Sequence, residues 1–140
     1  MHATFAYNPQ IKVILDSSFL FIPTQFHIHI FEELAKLLNR RYEPLLLSST
    51  YNELRTIAER GSEKLRRQAK LALRLAQKCH LLEVEKGAEE SHDDVIVRVA
   101  LTMPVCVATN DRTLRKRLRR NNVPVIYMRQ KSHLAIDGAI

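Results

Sequence analysis

Short runs of consecutive apolar residues alternate with segments of helical periodicity along the whole chain, and few architectures accommodate that pattern. Ile11-Lys12-Val13-Ile14-Leu15 predicts a first strand. Leu45-Leu46-Leu47-Ser48-Ser49, bounded by Pro44, predicts a second, and His80-Leu81-Leu82-Glu83-Val84 a third, weaker one. Val105-Cys106-Val107-Ala108 predicts a fourth and residues 123–128 a fifth. Between the first two, Phe31, Leu34, Ala35 and Leu38 recur at i, i+3, i+4 and i+7, which is one face of a helix. Thr50 to about Arg60 reads as helix stopped by Gly61; Ser62 then caps a longer helix through Leu65, Ala69, Ala72, Leu73 and Ala76. Val95, Ile96, Val99 and Ala100 mark a buried helix, and residues 111–121 another. Strands that are apolar without alternation need cover on both faces. The expectation is an α/β fold: a mostly parallel sheet between two layers of helices.

Composition narrows this further. With 140 residues, 46% of them hydrophobic, one domain with a substantial core is expected. Only three glycines and five prolines occur, so no flexible linker divides the chain. Residues 1–10 read as a loose lead-in, 11–130 as the domain and 131–140 as a C-terminal tail. The longest apolar runs are too short to span a bilayer, and the first residues lack a charged region followed by an apolar block, so neither a membrane anchor nor a signal peptide is expected. Cys79 and Cys106 lack metal-ligand spacing, which fits reduced thiols in the cytoplasm. Twenty-two Lys and Arg against 15 Asp and Glu leave a formal charge of +7, pointing to a polyanionic partner.

In open parallel sheets, ligands bind outside the carboxyl ends of the strands. Asp16 directly follows the first predicted strand, and Glu53 lies one turn into the helix after the second. Asp93 and Asp94 open the helix after the third, and Asp111 opens the helix after the fourth. Each acid also has a plain structural explanation. Thr50 to Glu53 and Ser91 to Asp94 both match a capping box, and Asp111 matches an N-cap. Asp16, at the end of an apolar strand, and Asp93, at the second helical position, are not explained by caps. Several carboxylates gathered at one sheet edge cannot all stay ionised without cations. A hard divalent ion with oxygen ligands, Mg²⁺ or Mn²⁺, resolves that conflict and supports phosphodiester hydrolysis. Ser17 and Thr109 flank the acids as supporting hydroxyls.

Val13-Ile14-Leu15-Asp16-Ser17-Ser18, the Thr50 to Glu53 step, the Asp93-Asp94 pair and Ala108-Thr109-Asn110-Asp111-Arg112 together resemble the PIN domain. The segment from Val107 through Arg120 to Val123-Pro124-Val125-Ile126-Tyr127 is especially similar to PIN nucleases of the small-subunit processome and their archaeal relatives; VapC toxins share the domain. The resemblance covers about residues 11–130. It implies a five-stranded parallel sheet in the order 3-2-1-4-5 in a three-layer sandwich. It also implies an Mg²⁺- or Mn²⁺-dependent endoribonuclease using one or two ions. By position, the family's catalytic acids fall on Asp16, Glu53, Asp93 and Asp111, with Asp16, Asp93 and Asp111 as metal ligands and Asp94 as a supporting acidic neighbour. The expected partner is RNA, in ribosomal RNA processing or as a toxin's target. A homodimer, an antitoxin or a ribosome-assembly complex are the protein partners that the resemblance brings.

Arg112, Arg115, Lys116, Arg117, Arg119 and Arg120 are six basic residues in nine positions, anchored by Leu114 and Leu118. Arg112, Arg115 and Lys116, nearest the acids, are the candidates for gripping RNA phosphates. Arg60, Lys64, Arg66, Arg67, Lys70, Arg74 and Lys78 read as a solvated helix face first and an RNA or partner surface second. His27 and His29 read as surface residues and His92 as helix-start packing, with proton transfer beside Asp93 the alternative. The rival functions are a catalytically inactive PIN module that binds RNA in a complex, and a phosphoacceptor receiver domain. The latter wants an acidic pair after the first strand, where this chain has a single acid. A dinucleotide-binding domain is unsupported, because no G-x-G-x-x-G occurs.

Overall fold

The computed structural model describes residues 10–140. The chain runs β1 (Ile11–Leu15), α1 (Ser17–Leu20), α2 (Ile22–Gln25), α3 (Ile30–Leu38), β2 (Tyr42–Leu47), α4 (Ser48–Arg60) and α5 (Glu63–Ala76). It continues through β3 (His80–Leu82), α6 (His92–Ala100), β4 (Cys106–Ala108), α7 (Arg112–Arg120), β5 (Val125–Arg129) and β6 (His133–Asp137). One sheet holds all the strands in the order β3-β2-β1-β4-β5-β6. The first five are parallel, as expected; β6 returns antiparallel along β5. The sheet therefore has six strands instead of five, and residues 133–137, assigned above to a tail, are its edge. The lead-in assigned to residues 1–10 lies, except for Gln10, outside the described residues.

The uninterrupted apolar strands are explained by the period of two along a strand. Val13 and Leu15 of β1 face one core while Ile14 faces the other. Leu46 opposes Leu45 and Leu47 in β2, and Cys106 and Ala108 oppose Val107 in β4. Phe19, Leu20, Ile22, Ile30, Leu34, Leu54 and Ala72 cover the first face; Val95, Ile96, Val99, Leu114 and Leu118 cover the second. Burying each Leu, Ile or Val contributes about 1.5–3 kcal/mol, so both layers are needed for stability.

Two boundaries differ from the sequence reading for local reasons. Strand β2 begins at Tyr42 and passes through Pro44, which pairs with Val13 at a level where β3 has not yet begun. A partner on one side only is where the missing proline donor costs least. Helix α4 begins at Ser48, not Thr50, and its N-cap Leu47 supplies no side-chain bond. The Ser48 hydroxyl is engaged across to the chain after β3: it accepts from the Val84 amide at 2.9 Å and donates to the Val84 carbonyl at 3.1 Å. Thr50 is buried inside the first turn, so the expected Thr50–Glu53 capping box is absent and Glu53 is released from that role.

Gly138, just after β6, has φ +101°, and a Cβ there would lie 2.6 Å from an Arg119 guanidinium nitrogen. The guanidinium can shift, so the backbone dominates the cost. Gly138→Ala is expected to destabilise the fold by about 1–2 kcal/mol, read by urea denaturation.

Candidate active site

Asp16 caps the exit of β1, where its amide donates to the Ala108 carbonyl of β4 at 2.9 Å. It is buried, and its charge is met by two hydroxyls on one oxygen. Oδ2 accepts from Ser18 Oγ at 2.6 Å and from Thr109 Oγ1 at 2.8 Å. Those hydroxyls are 3.1 Å apart; Ser18 Oγ also accepts from the Asn110 amide, and Thr109 Oγ1 from the Asp111 amide. The exits of β1 and β4 are thus stitched together around one carboxylate. Bonds to an ionised acceptor are about twice as strong as neutral ones, which is what makes burial of this charge affordable. Oδ1 is left without either hydroxyl.

Glu53 projects from the second turn of α4, and its Oε1 is fully buried without a hydrogen-bond partner. Burial pushes its carboxyl above the usual range, opposed by His92 and the Ser17 hydroxyl and reinforced by repulsion from Asp16. Asp93, in the first turn of α6, is pushed up to about 6, first by burial and then by Asp16, Asp111 and Glu53, with Arg117 opposing. That set of neighbours is the geometric result: acids from three other strand exits lie within electrostatic reach of Asp93. As the side chains stand, no three acids, histidines or cysteines among the described residues already sit at metal-ligand spacing.

The structure separates the Asp93-Asp94 pair. Asp94 completes a capping box with Ser91: its Oδ2 accepts from the Ser91 amide at 3.0 Å, and its own amide donates to Ser91 Oγ at 3.0 Å. Its Oδ1 accepts from Arg117 at 2.6 Å. The Ser91 amide and Arg117 hold its carboxyl below the usual range. Both oxygens are occupied, so Asp94 builds the fold at the site's edge. Asp111 divides its functions. Oδ1 caps α7, accepting from the Thr113 amide at 2.8 Å and the Leu114 amide at 3.2 Å, and the second oxygen is not used by the cap.

The PIN like domain family model matches residues 13–131, spanning every one of these acids. The chain belongs to the PIN-like domain family. Among characterised proteins, it is 28% identical over 129 residues to Ribonuclease VapC4 of Methanocaldococcus jannaschii, covering 92% of this chain and 98% of that one. Among solved structures, it is similar to the PIN domain endonuclease Utp24, with a TM-score of 0.76, 26% identity and 92% of each chain covered.

The basic rim of this PIN domain is less uniform than its sequence suggests. Arg115 donates through Nε to Asp137 at 3.1 Å, and its guanidinium lies 3.4 Å from the centre of the Tyr127 ring. Arg119 donates to the other Asp137 oxygen at 3.1 Å, and Arg117 is held by Asp94. Arg112, Lys116 and Arg120, at i, i+4 and i+8, are exposed and form no ion pair among the described residues. Sequence reasoning missed Ser18 and Asp137. Ser18 stands two residues after Asp16, and Asp137 is the sole acid after Asp111, a signal that could have pointed to a counter-ion for the arginine run. His27 and His29 are exposed, and burial raises both cysteine thiols to about 12, leaving them inert. No helix among the described residues is long and apolar enough to cross a membrane.

Proposed function

We propose that this PIN domain is an endoribonuclease that hydrolyses RNA phosphodiester bonds with Mg²⁺ or Mn²⁺ held by its carboxylates. The observation carrying this reading is that Asp16, Asp111 and Glu53 all raise the Asp93 carboxyl, beside a buried, unpartnered Glu53 oxygen. An all-oxygen, anionic set with an orphan acceptor suits a hard divalent cation. Asp16 through Oδ1, Asp93, and Asp111 through the oxygen not used by the cap are the residues that would hold one or two ions. Such an ion supplies Lewis-acid stabilisation of the charge that develops on the phosphate. The chain's own residues supply the rest. Ser18 and Thr109 fix the orientation of Asp16, Glu53 holds water through Oε1, and Arg112 and Lys116 offer exposed charges to the RNA backbone. Names of the similar proteins, a ribonuclease and a PIN domain endonuclease, support this chemistry.

The finer assignment we propose is ribosomal RNA processing by a cytoplasmic enzyme, for which the dense basic helix and the resemblance of the segment 107–127 to processome-type PIN nucleases speak. Similarity to VapC4 favours a second reading, a VapC-type toxin ribonuclease restrained by an antitoxin. Crosslinking the protein to RNA in its own cell separates them. Ribosomal precursors as targets support processing; transfer RNA or a mature ribosomal loop supports the toxin. Purified protein that leaves single-stranded RNA intact with Mn²⁺, yet binds it, identifies an inactive RNA-binding module instead.

Because Arg115 is bound into the fold by Asp137, the informative rim variant is Arg112→Ala with Lys116→Ala. Its slope of log affinity against log salt is expected to be shallower by about 0.7 per lost phosphate contact on single-stranded RNA. Binding should weaken across all sequences alike, and Mn²⁺ binding should persist. An unchanged slope would make α7 a solvated face.

A further inference from the structure

Beside the acids, a cleft of about 340 Å³ opens between the start of α7 and the β5–β6 hairpin. Thr109 and Asp111 line it, so it is continuous with the candidate active site. Arg112, Arg115, Arg129 and Gln130 are among the residues that line it. Two features show that this wall is held in place. Arg115 is pinned at its Nε edge by Asp137 and covered on one face by Tyr127, and 30% of its side chain remains exposed. The hairpin tip is a tight turn closed by the Ser132 amide on the Arg129 carbonyl at 3.2 Å, with φ +54° at Gln130 and +58° at Lys131. Glycine, asparagine and aspartate are the residues that take such positions at least cost. Gln130, which lines the charged cleft in a conformation that opposes a long side chain, calls for a use of that side chain.

We infer that this cleft is a subsite for one unpaired nucleotide flanking the cleaved bond, with its phosphate on Arg112 and Arg129, its base stacked on Arg115, and its base edge read by Gln130. The inference rests on the nuclease reading for the choice of RNA as ligand. Cationic walls bind phosphate without regard to sequence. Unpaired bases stack on arginine planes and are identified through their edges by amides, which donate and accept at once. The cleft is of a size to take one such unit. Gln130 would then make the enzyme prefer particular bases at one position beside the cut, whereas Arg112 and Arg129 would serve all sequences equally.

Fluorescence anisotropy with four labelled RNA hexamers, of A, C, G and U, tests this in EDTA, apart from cleavage. Gln130→Gly removes the amide and relieves the positive φ, so it should not lower the melting midpoint. It is expected to shrink the ratio between the tightest and weakest hexamer by roughly fivefold, the low end of what one two-bond base contact discriminates. Arg129→Glu is expected to weaken all four hexamers and make their salt slope shallower by about 0.7 or more. Affinities, spread and slopes unchanged in both variants would overturn the subsite. A reduced slope with an unchanged spread would overturn base reading and leave only a phosphate grip. Failure of the unaltered protein to cleave RNA with Mn²⁺, while Gln130→Gly still levels the hexamers, would end the nuclease reading and leave the subsite standing.

Discussion

Asp16→Asn is expected to reduce RNA cleavage by about 10²–10³-fold while leaving the fold intact, the loss typical of removing one electrostatic stabiliser from a preorganised site. The substitution preserves volume and keeps a carbonyl oxygen to accept from Ser18 and Thr109, so the junction between the β1 and β4 exits survives. It removes one charge from a mutually repelling set, so the melting midpoint in EDTA should stay level or rise. A second readout follows from Asp93. Asp16 is the largest charge contribution to its raised carboxyl, so the Asp93 pKa should fall from about 6 toward the ordinary range in the variant. A carboxyl NMR titration reads this directly. Retained cleavage together with an unmoved Asp93 titration would mean that these acids are not one site.

The neighbouring acids Asp93 and Asp94 should respond in opposite senses. The folded-state pKa of Asp93 lies above its ordinary value of 3.8, so the folded protein holds a proton that the unfolded chain releases between about pH 4 and 6. Stability should therefore fall as pH rises through that window in EDTA, and level off above it. Asp93→Asn removes the penalty. A gain on the order of 1 kcal/mol at pH 7 is expected, discounted because the group is partly exposed and screened. Asp94 is lowered, so its contribution is present above the ordinary carboxylate range and lost as pH falls below it. Asp94→Ala discards a capping box and the Arg117 bridge together, and should lower the melting midpoint by several degrees. Paired melts at about pH 3, 4.5 and 7 check both. If Asp93→Asn destabilises and Asp94→Ala abolishes Mn²⁺ binding, the roles are reversed.

Much of this was readable before any coordinates, for a definite reason. Continuous apolar strands separated by amphipathic helices admit few arrangements, and the parallel order 3-2-1-4-5 followed from the residues by which the chain resembles PIN domains. The Ser91–Asp94 capping box and the Asp111 N-cap were legible because caps are made within four residues. Strand β6 was not. Its alternation is short and weak, and it exists through pairing with β5 and the grip of Asp137 on Arg115 and Arg119.

By itself, then, the sequence determined the alternation of elements, the position of an acid at each of four strand exits, and the density of positive charge on α7. These are properties of neighbours along the chain or of overall charge. Tertiary structure alone decided how each group is used. Helix α4 begins at Ser48, whose hydroxyl turns to Val84, and one Glu53 oxygen is left buried without a partner. Ser18 and Thr109, 91 residues apart, met on one oxygen of Asp16 because β1 and β4 are adjacent in the sheet. Half of the basic run was drawn into the fold by Asp94 and Asp137, leaving Arg112, Lys116 and Arg120 facing solvent. A charge's partner is set by distance in space, and local sequence carries no record of that distance.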